Sequence, residues 1–205
     1  MSRQMVPRRN ARGVASLRRL EILDAAAEVL AEKGILVATV RDIGDRAGIL
    51  SGSLYHHFSS KEEMITEILV PVIQSQISAF DAIVAETDDA REIVRRLIGA
   101  AVEQTAVNPH AARILRNDSH HIGEMSGLEA VVREQGAVMS RWVSAVKDGI
   151  DSRRFRADVD PQIATMSIAD VVLGAYRFMK PVGRSSAASV TAQLTALILD
   201  GLGAK

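Results

Sequence analysis

The chain contains no cysteine. That one absence removes disulfides, Cys-ligated zinc fingers and thiol redox sensing together. Aromatic residues are scarce, at 3%, while hydrophobic residues reach 47%; with abundant Ala and Leu, this balance favours an all-α fold. No run of 18 or more apolar residues occurs, and no apolar segment follows the first arginines as in a secretory signal. No membrane partner is therefore expected, and the cytoplasm is the expected compartment. A Gly-rich phosphate loop, a Ser/His/Asp arrangement and a paired-carboxylate constellation are all missing, which argues against an enzyme. His120, His121 and Glu124 come nearest to a metal set, but their irregular context and missing fourth ligand argue against a metal. Net charge is absent too, with 25 Lys+Arg against 25 Asp+Glu. Its distribution is uneven, because Arg3, Arg8, Arg9, Arg12, Arg18 and Arg19 all precede the first acid, Glu21. Residues 1–15 read as a disordered basic arm suited to a polyanion.

What the chain does have is concentrated between Thr39 and Lys61, TVRDIGDRAGILSGSLYHHFSSK. Thr39 is placed to cap a helix, with Asp42 three residues on as the reciprocal partner. Val40, Ile43 and Ala47 share one side of that helix, and Gly48 stops it, glycine being free to turn left-handed. After Ile49 and Leu50, a second short helix is expected from Ser51 to Phe58. Two helices joined by a short turn containing Gly form a helix-turn-helix. At about 100° per residue, Leu54 and Phe58 point inward while Gly52 and His56 face out, flanked by Ser53 and Tyr55. That outward face carries no acid, as befits a surface that meets phosphates and base edges. Ser60 with Glu63 forms a capping box for the next helix. Lys61 in its first turn opposes the helix dipole, which is rational if an anion such as a DNA phosphate sits there.

These positions carry a family resemblance. Ile22-Leu23-Asp24-Ala25-Ala26, Gly34, Thr39 to Ile43, Ala47-Gly48, Gly52 to Tyr55, His57-Phe58 and Lys61-Glu62-Glu63 make residues 17–65 resemble the DNA-binding domain of TetR-family transcription regulators. Leu50 departs from the pattern, which places a small polar cap there, and Ser51 is the alternative cap. The resemblance implies phosphate contacts from Thr39, Arg41, Tyr55 and Lys61, base contacts from Ser53 and His56, and close approach at Ser51 and Gly52. It further implies a homodimer on a palindromic double-stranded DNA operator, and a small-molecule effector. The run Gly48 to Phe58 looks most like actinobacterial repressors of steroid and acyl-CoA catabolism, which points to an acyl-CoA as effector and to no other cofactor. A DNA-binding protein without an effector is the alternative.

The remaining chain reads as helices, about nine in all. Leu20, Leu23, Ala27 and Leu30 mark the inner face of a first helix over 17–33. The Ser60 helix runs to about Glu86, kinked or divided near Pro71. Further helices are expected from Asp89 to Asn108, over Ala111 to Leu115, from Ser126 (with Glu129 as capping box) to Ser152, from Asp160-Pro161 to Met179, and from Ser186 to Leu202. The stretch 117–123 reads as irregular, and Pro181 with Gly183 as a break. The helix-turn-helix domain is set at 16–65 and a ligand-binding and dimerisation domain at 66–205, joined within one helix. The last two helices are apolar on more than one face and are expected to pair with a second copy. His121, Met125, Met139, Trp142, Met166, Tyr176 and Phe178 are the candidates for lining an effector pocket. Arg153, Arg154 and Arg156 are a further candidate for an anionic ligand, although such clusters are usually solvated loops.

Overall fold

The computed structural model describes residues 9–179 and 185–203, with side chains from Leu17 onward. Ten α-helices occur among them: α1 Arg9–Lys33, α2 Val40–Ala47, α3 Ser51–Leu54, α4 Lys61–Glu86, α5 Ala90–Val107, α6 Pro109–Asn117, α7 Ser119–Glu124, α8 Glu129–Asp151, α9 Pro161–Leu173 and α10 Ala187–Leu202. The extra helix is α7, in the stretch expected to be irregular. Helix α1 already starts at Arg9, so the expected disordered arm overlaps it; Arg3, Arg8 and the Pro181–Gly183 break lie outside the described residues.

Local chemistry explains most of the boundaries. Thr39 and Asp42 form the reciprocal box on α2, and Gly48 ends it at φ 66°. Asp89 accepts the N–H groups of Arg91 and Glu92 at the start of α5, and Asp160 those of Gln162 and Ile163 ahead of Pro161. Ser126 does not cap α8. The helix begins at Glu129, whose carboxylate instead accepts the N–H of Gly127, a residue at φ 88°. Helix α9 stops at Leu173, and a 3-10 turn over Ala175–Phe178 takes the chain to Met179.

Two faces differ from expectation. On α1 the buried residues are Ile22, Ala25, Ala26, Val29, Leu30 and Ala31, whereas Leu20 is exposed. The helix is so rich in Ala and Leu that more than one phase satisfies the helical period. Pro71 neither ends nor divides α4, which continues to Glu86. A proline there loses the bond to the carbonyl four residues back and crowds that carbonyl, at a cost of about 3 kcal/mol, and the packing of α4 on its neighbours holds the helix together across it. An 18-residue window of α4 reaches mean hydropathy 1.6, long and apolar enough to cross a membrane. Here the helix packs on α1, α5, α6 and α8 instead, burying Met64, Ile65, Leu69, Ile73, Phe80 and Ile83. Phe80 meets Trp142 of α8 edge to face at 5.3 Å, and Arg141 pairs with Asp81 at 2.6 Å across the same seam.

Gly149 in α8 is required by packing. A Cβ there would lie 2.1 Å from the buried Phe155 ring, while Phe155 is held by its N–H to the Gly149 carbonyl at 2.9 Å. Gly149→Ala should cost about 1–3 kcal/mol through overpacking. Gly136→Ala, with open space around the added methyl, should be neutral or stabilising by up to about 1 kcal/mol. Thermal melting checks both, at roughly 2–4 °C per kcal/mol for a chain of this size.

Candidate nucleic-acid interface and interior cavity

The reading element stands on α2 and α3. Ile43, Leu54 and Phe58 are buried against α1, and Gly44 lets the turn close, since a Cβ there would come within 2.9 Å of the Ile49 carbonyl. Helical geometry in the second element lasts only from Ser51 to Leu54; beyond it, Phe58 and His57 both donate to the Leu54 carbonyl in a tightened turn. The expected helix to Phe58 is thus a single turn followed by a bend. Ser51 does not cap it. The N-cap position belongs to Leu50, which offers no side-chain hydrogen bond and is exposed.

The outward set is open. Arg41, Gly52, Tyr55 and His56 are exposed, Ser51 and Ser53 half-buried, and nothing approaches within 4 Å of where a Gly52 side chain would start. Thr39 is committed: its hydroxyl accepts the Asp42 N–H at 3.1 Å and donates to the Asp42 carboxylate at 2.8 Å. The Lys33 ammonium and then the Thr39 groups hold that carboxyl well below the usual carboxylate range. Lys61 is half-buried, and its ammonium donates to the carbonyls of Ile35 at 2.6 Å and Ala38 at 2.9 Å. A main-chain partner therefore already explains its place beside the helix N-terminus. An ammonium has three donors, so one remains free.

Arg18 and Arg19 belong to the framework rather than to a basic arm. Arg18 pairs with Glu21 at 2.6 Å and donates to the Ala47 carbonyl. Arg19 lies over the Phe58 ring at 4.0 Å and donates to the His57 carbonyl and to Glu63 and Glu67 of α4. The signal was in the sequence: two acids four apart on α4 form one face for a single guanidinium. Glu63 also accepts from the Ser59 hydroxyl and N–H, which are the main causes of its lowered pKa. Ser60 accepts the Glu63 N–H at 3.1 Å, but Glu63 reaches back to Ser59 rather than to Ser60.

Between α4, α5, α6, α8 and α9 lies a cavity of about 100 Å³. Val72, Ala112, Leu115, Met139, Trp142 and Val172 give it apolar walls, with Gln76, Gln104, Asn108 and Gln135 as its amides, and no charged side chain lines it. Met139 and Trp142 are thus the expected lining residues that reach it. His121 sits half-buried on α7, and Met125 borders a surface groove with Ser60 and Glu62. Tyr176 packs on the core from the 3-10 turn, while Met166 and Phe178 are 62% and 53% exposed. None of these five lines this cavity: Met166 faces outward on α9, and Tyr176 and Phe178 lie beyond its end at Leu173. Arg154 pairs with Asp89 and Arg156 with Asp158, so neighbouring acids already neutralise two of the three arginines. Among the described residues no group of three His, Asp or Glu could hold a metal ion.

Comparison with known proteins agrees with this geometry. The signature of "Bacterial regulatory proteins, tetR family" matches residues 22–68, and that of the "Tetracyclin repressor-like, C-terminal domain" matches residues 87–202. The chain belongs to the TetR family. It is 34% identical to the HTH-type transcriptional repressor KstR2 of Rhodococcus jostii, over 90% of this chain and 91% of that one. The structure of the ketosteroid transcriptional regulator KstR2 of Mycobacterium tuberculosis superposes with a TM-score of 0.81 at 32% identity, covering 92% and 96% of the two chains. AibR, solved in complex with isovaleryl coenzyme A and operator DNA, shares the fold at a TM-score of 0.72 and 18% identity, over 88% and 97%. As a TetR regulator the chain is a dimeric DNA-binding protein and not an enzyme. Ile163, Met166 and Val171 on α9 and Leu197 on α10 are exposed apolar side chains.

Both Asp42 and Glu63 are held below the ordinary carboxylate range. Their contribution to stability is complete above that range and is lost as pH falls through the folded values. Melting temperature should be flat near neutrality and fall below about pH 4. Glu63→Gln should flatten part of that acid limb; an acid limb identical to wild type would show that Glu63 holds no such role.

Proposed function

We propose that this TetR regulator represses transcription by occupying a palindromic operator in the cytoplasm, and leaves it when an acyl-CoA thioester enters the C-terminal domain. Continuity carries this reading: α4 begins at the DNA-reading element and ends as a wall of the cavity. The likeness to KstR2 repressors runs over nine-tenths of the chain rather than over the DNA-reading part alone. The fold is one that holds an acyl-CoA in AibR.

Residue roles follow from exposure. Arg41 and Tyr55 reach phosphates directly, the free donor of Lys61 takes one more, and Thr39 sets the α2 terminus against the backbone. Ser51 and Gly52 allow the close approach, while Ser53 and His56 meet base edges in the major groove. Two copies paired through α9 and α10 place two such elements on successive turns, about 34–36 Å apart. The uncharged cavity suits the acyl group, leaving the coenzyme's phosphates at the surface. At about 100 Å³ it is smaller than the roughly 300–1,000 Å³ of a ligand pocket. Entry therefore has to part α4, α6 and α8, and parting them moves the reading heads.

Selection from a random duplex library, repeated with isovaleryl-CoA, stearoyl-CoA and steroid-derived acyl-CoA thioesters, tests the whole. The expected result is a palindrome abandoned with one thioester; a palindrome indifferent to all of them would leave a regulator without this effector. Lys61→Ala should weaken binding to every duplex and lower the salt slope by about 1. His56→Ala should instead change which sequence is preferred, read by repeating the selection.

A further inference from the structure

Ile35, in the loop between α1 and α2, is held at both of its main-chain polar groups. Its carbonyl accepts from Lys61, as described above. Its N–H donates to Oδ1 of Asp118 at 3.3 Å. Asp118 comes from the other domain: it is the junction between α6 and α7, with its N–H on the Ile114 carbonyl and its carbonyl receiving the Ile122 N–H. The side chain is buried, 7% exposed, and no cation pairs with it among the described residues. A carboxylate taken out of water without a counter-charge is costly, and it persists only where its remaining hydrogen bonds matter. Gly34 makes the approach possible, since a Cβ there would stand 3.2 Å from Oδ1 of Asp118 and the residue has φ +83°.

We infer that Asp118 is the positioning residue through which α6 reports the state of the cavity to the DNA-reading domain. The inference rests on the cavity being the effector site. Ala112 and Leu115 of α6 line that cavity, and Asp118 lies three residues beyond Leu115 at the end of the same helix. When α6 is displaced by a guest, the carboxylate is drawn from the Ile35 N–H. The loop 34–38 then loses one of its two holds. That loop carries Ala38, the second acceptor for Lys61, and leads directly into the Thr39 cap of α2. Moving it therefore shifts both a phosphate donor and the start of the reading element.

The test uses the full-length protein and the palindromic duplex selected by wild type, with dissociation constants from fluorescence anisotropy. Asp118→Ala should weaken operator binding roughly tenfold, the scale of one hydrogen bond to a charged group. Asp118→Asn keeps an oxygen acceptor and should stay within about threefold of wild type. Asp118→Ser, whose hydroxyl stops short of Ile35, replaces the alanine variant if that one does not melt cooperatively. Ala112→Phe overfills the cavity and stands in for a guest. It should weaken operator binding in wild type and do so much less in the Asp118→Ala background, a non-additivity that reads the coupling. Operator binding unchanged in Asp118→Ala, equal losses in the alanine and asparagine variants, or full additivity with Ala112→Phe would each overturn the inference. If Ala112→Phe alone left operator binding intact, the cavity as effector site would fall and the coupling with it. Retained binding in Asp118→Asn against loss in Asp118→Ala would then locate the failure in the cavity and not in the loop.

Discussion

Helix α4 has to satisfy two cores at once, and the rest of the molecule is arranged around that constraint. Its first turns bury Met64 and Ile65 with α1 beneath the reading element, and its later turns bury Ile73, Phe80 and Ile83 among the C-terminal helices. No hinge of loop residues separates the two sets, because even Pro71 is carried inside the helix. A rigid rod shared by two packed groups cannot rotate in one of them alone. Any change at the cavity wall formed by Val72, Ile73 and Gln76 therefore has a mechanical consequence at Lys61, about three to four turns away along the same helix.

The same constraint explains why so much charge near the reading element is paired between helices. Arg19 joins α1 to Glu63 and Glu67, Arg46 joins α2 to Glu28 and Glu32, and Lys33 joins α1 to Asp42. Exposed pairs of this kind contribute little individually. Their value is geometric: α2, only eight residues long, could not persist by itself, and the Arg46 and Lys33 pairs fix it against α1, while the Arg19 pairs join α1 to α4. Arg41 and Tyr55 stay free of such ties, apart from a long Arg41 to Asp45 approach of 4.0 Å.

The sequence was legible where one residue type does one local job. Thr39 with Asp42, Gly48 and Asp160-Pro161 each announced a helix end through local hydrogen bonding or backbone preference. The inward Leu54 and Phe58 and the outward Gly52 and His56 followed from periodicity alone. Legibility failed where several phases were equally apolar, as on α1, and where the deciding partner lay far along the chain. Nothing within a window around Lys61 reveals the carbonyls of Ile35 and Ala38, and nothing around Asp118 reveals the N–H of a residue 83 positions earlier. The pocket suffered most. Met and aromatic residues at helical spacing marked apolar surface correctly, but whether a given face turned to the cavity, as at Trp142, or outward, as at Met166, depended on helix packing.

Magnitudes make a small main-chain device sufficient for a regulator of this kind. A hundredfold change in operator affinity corresponds to about 2.7 kcal/mol, and an effector achieves it only through that much difference in affinity between two states. A hydrogen bond to a charged group contributes roughly 1.5–3 kcal/mol, so exchanging one or two such bonds at Ile35 spans the required range. A larger rearrangement would have to disturb cores that hold Ile22, Leu30, Ile43 and Phe58 almost free of solvent, at a cost exceeding the signal. The economical switch in this fold is therefore a peptide group held between an acid from one domain and a base at the head of the shared helix.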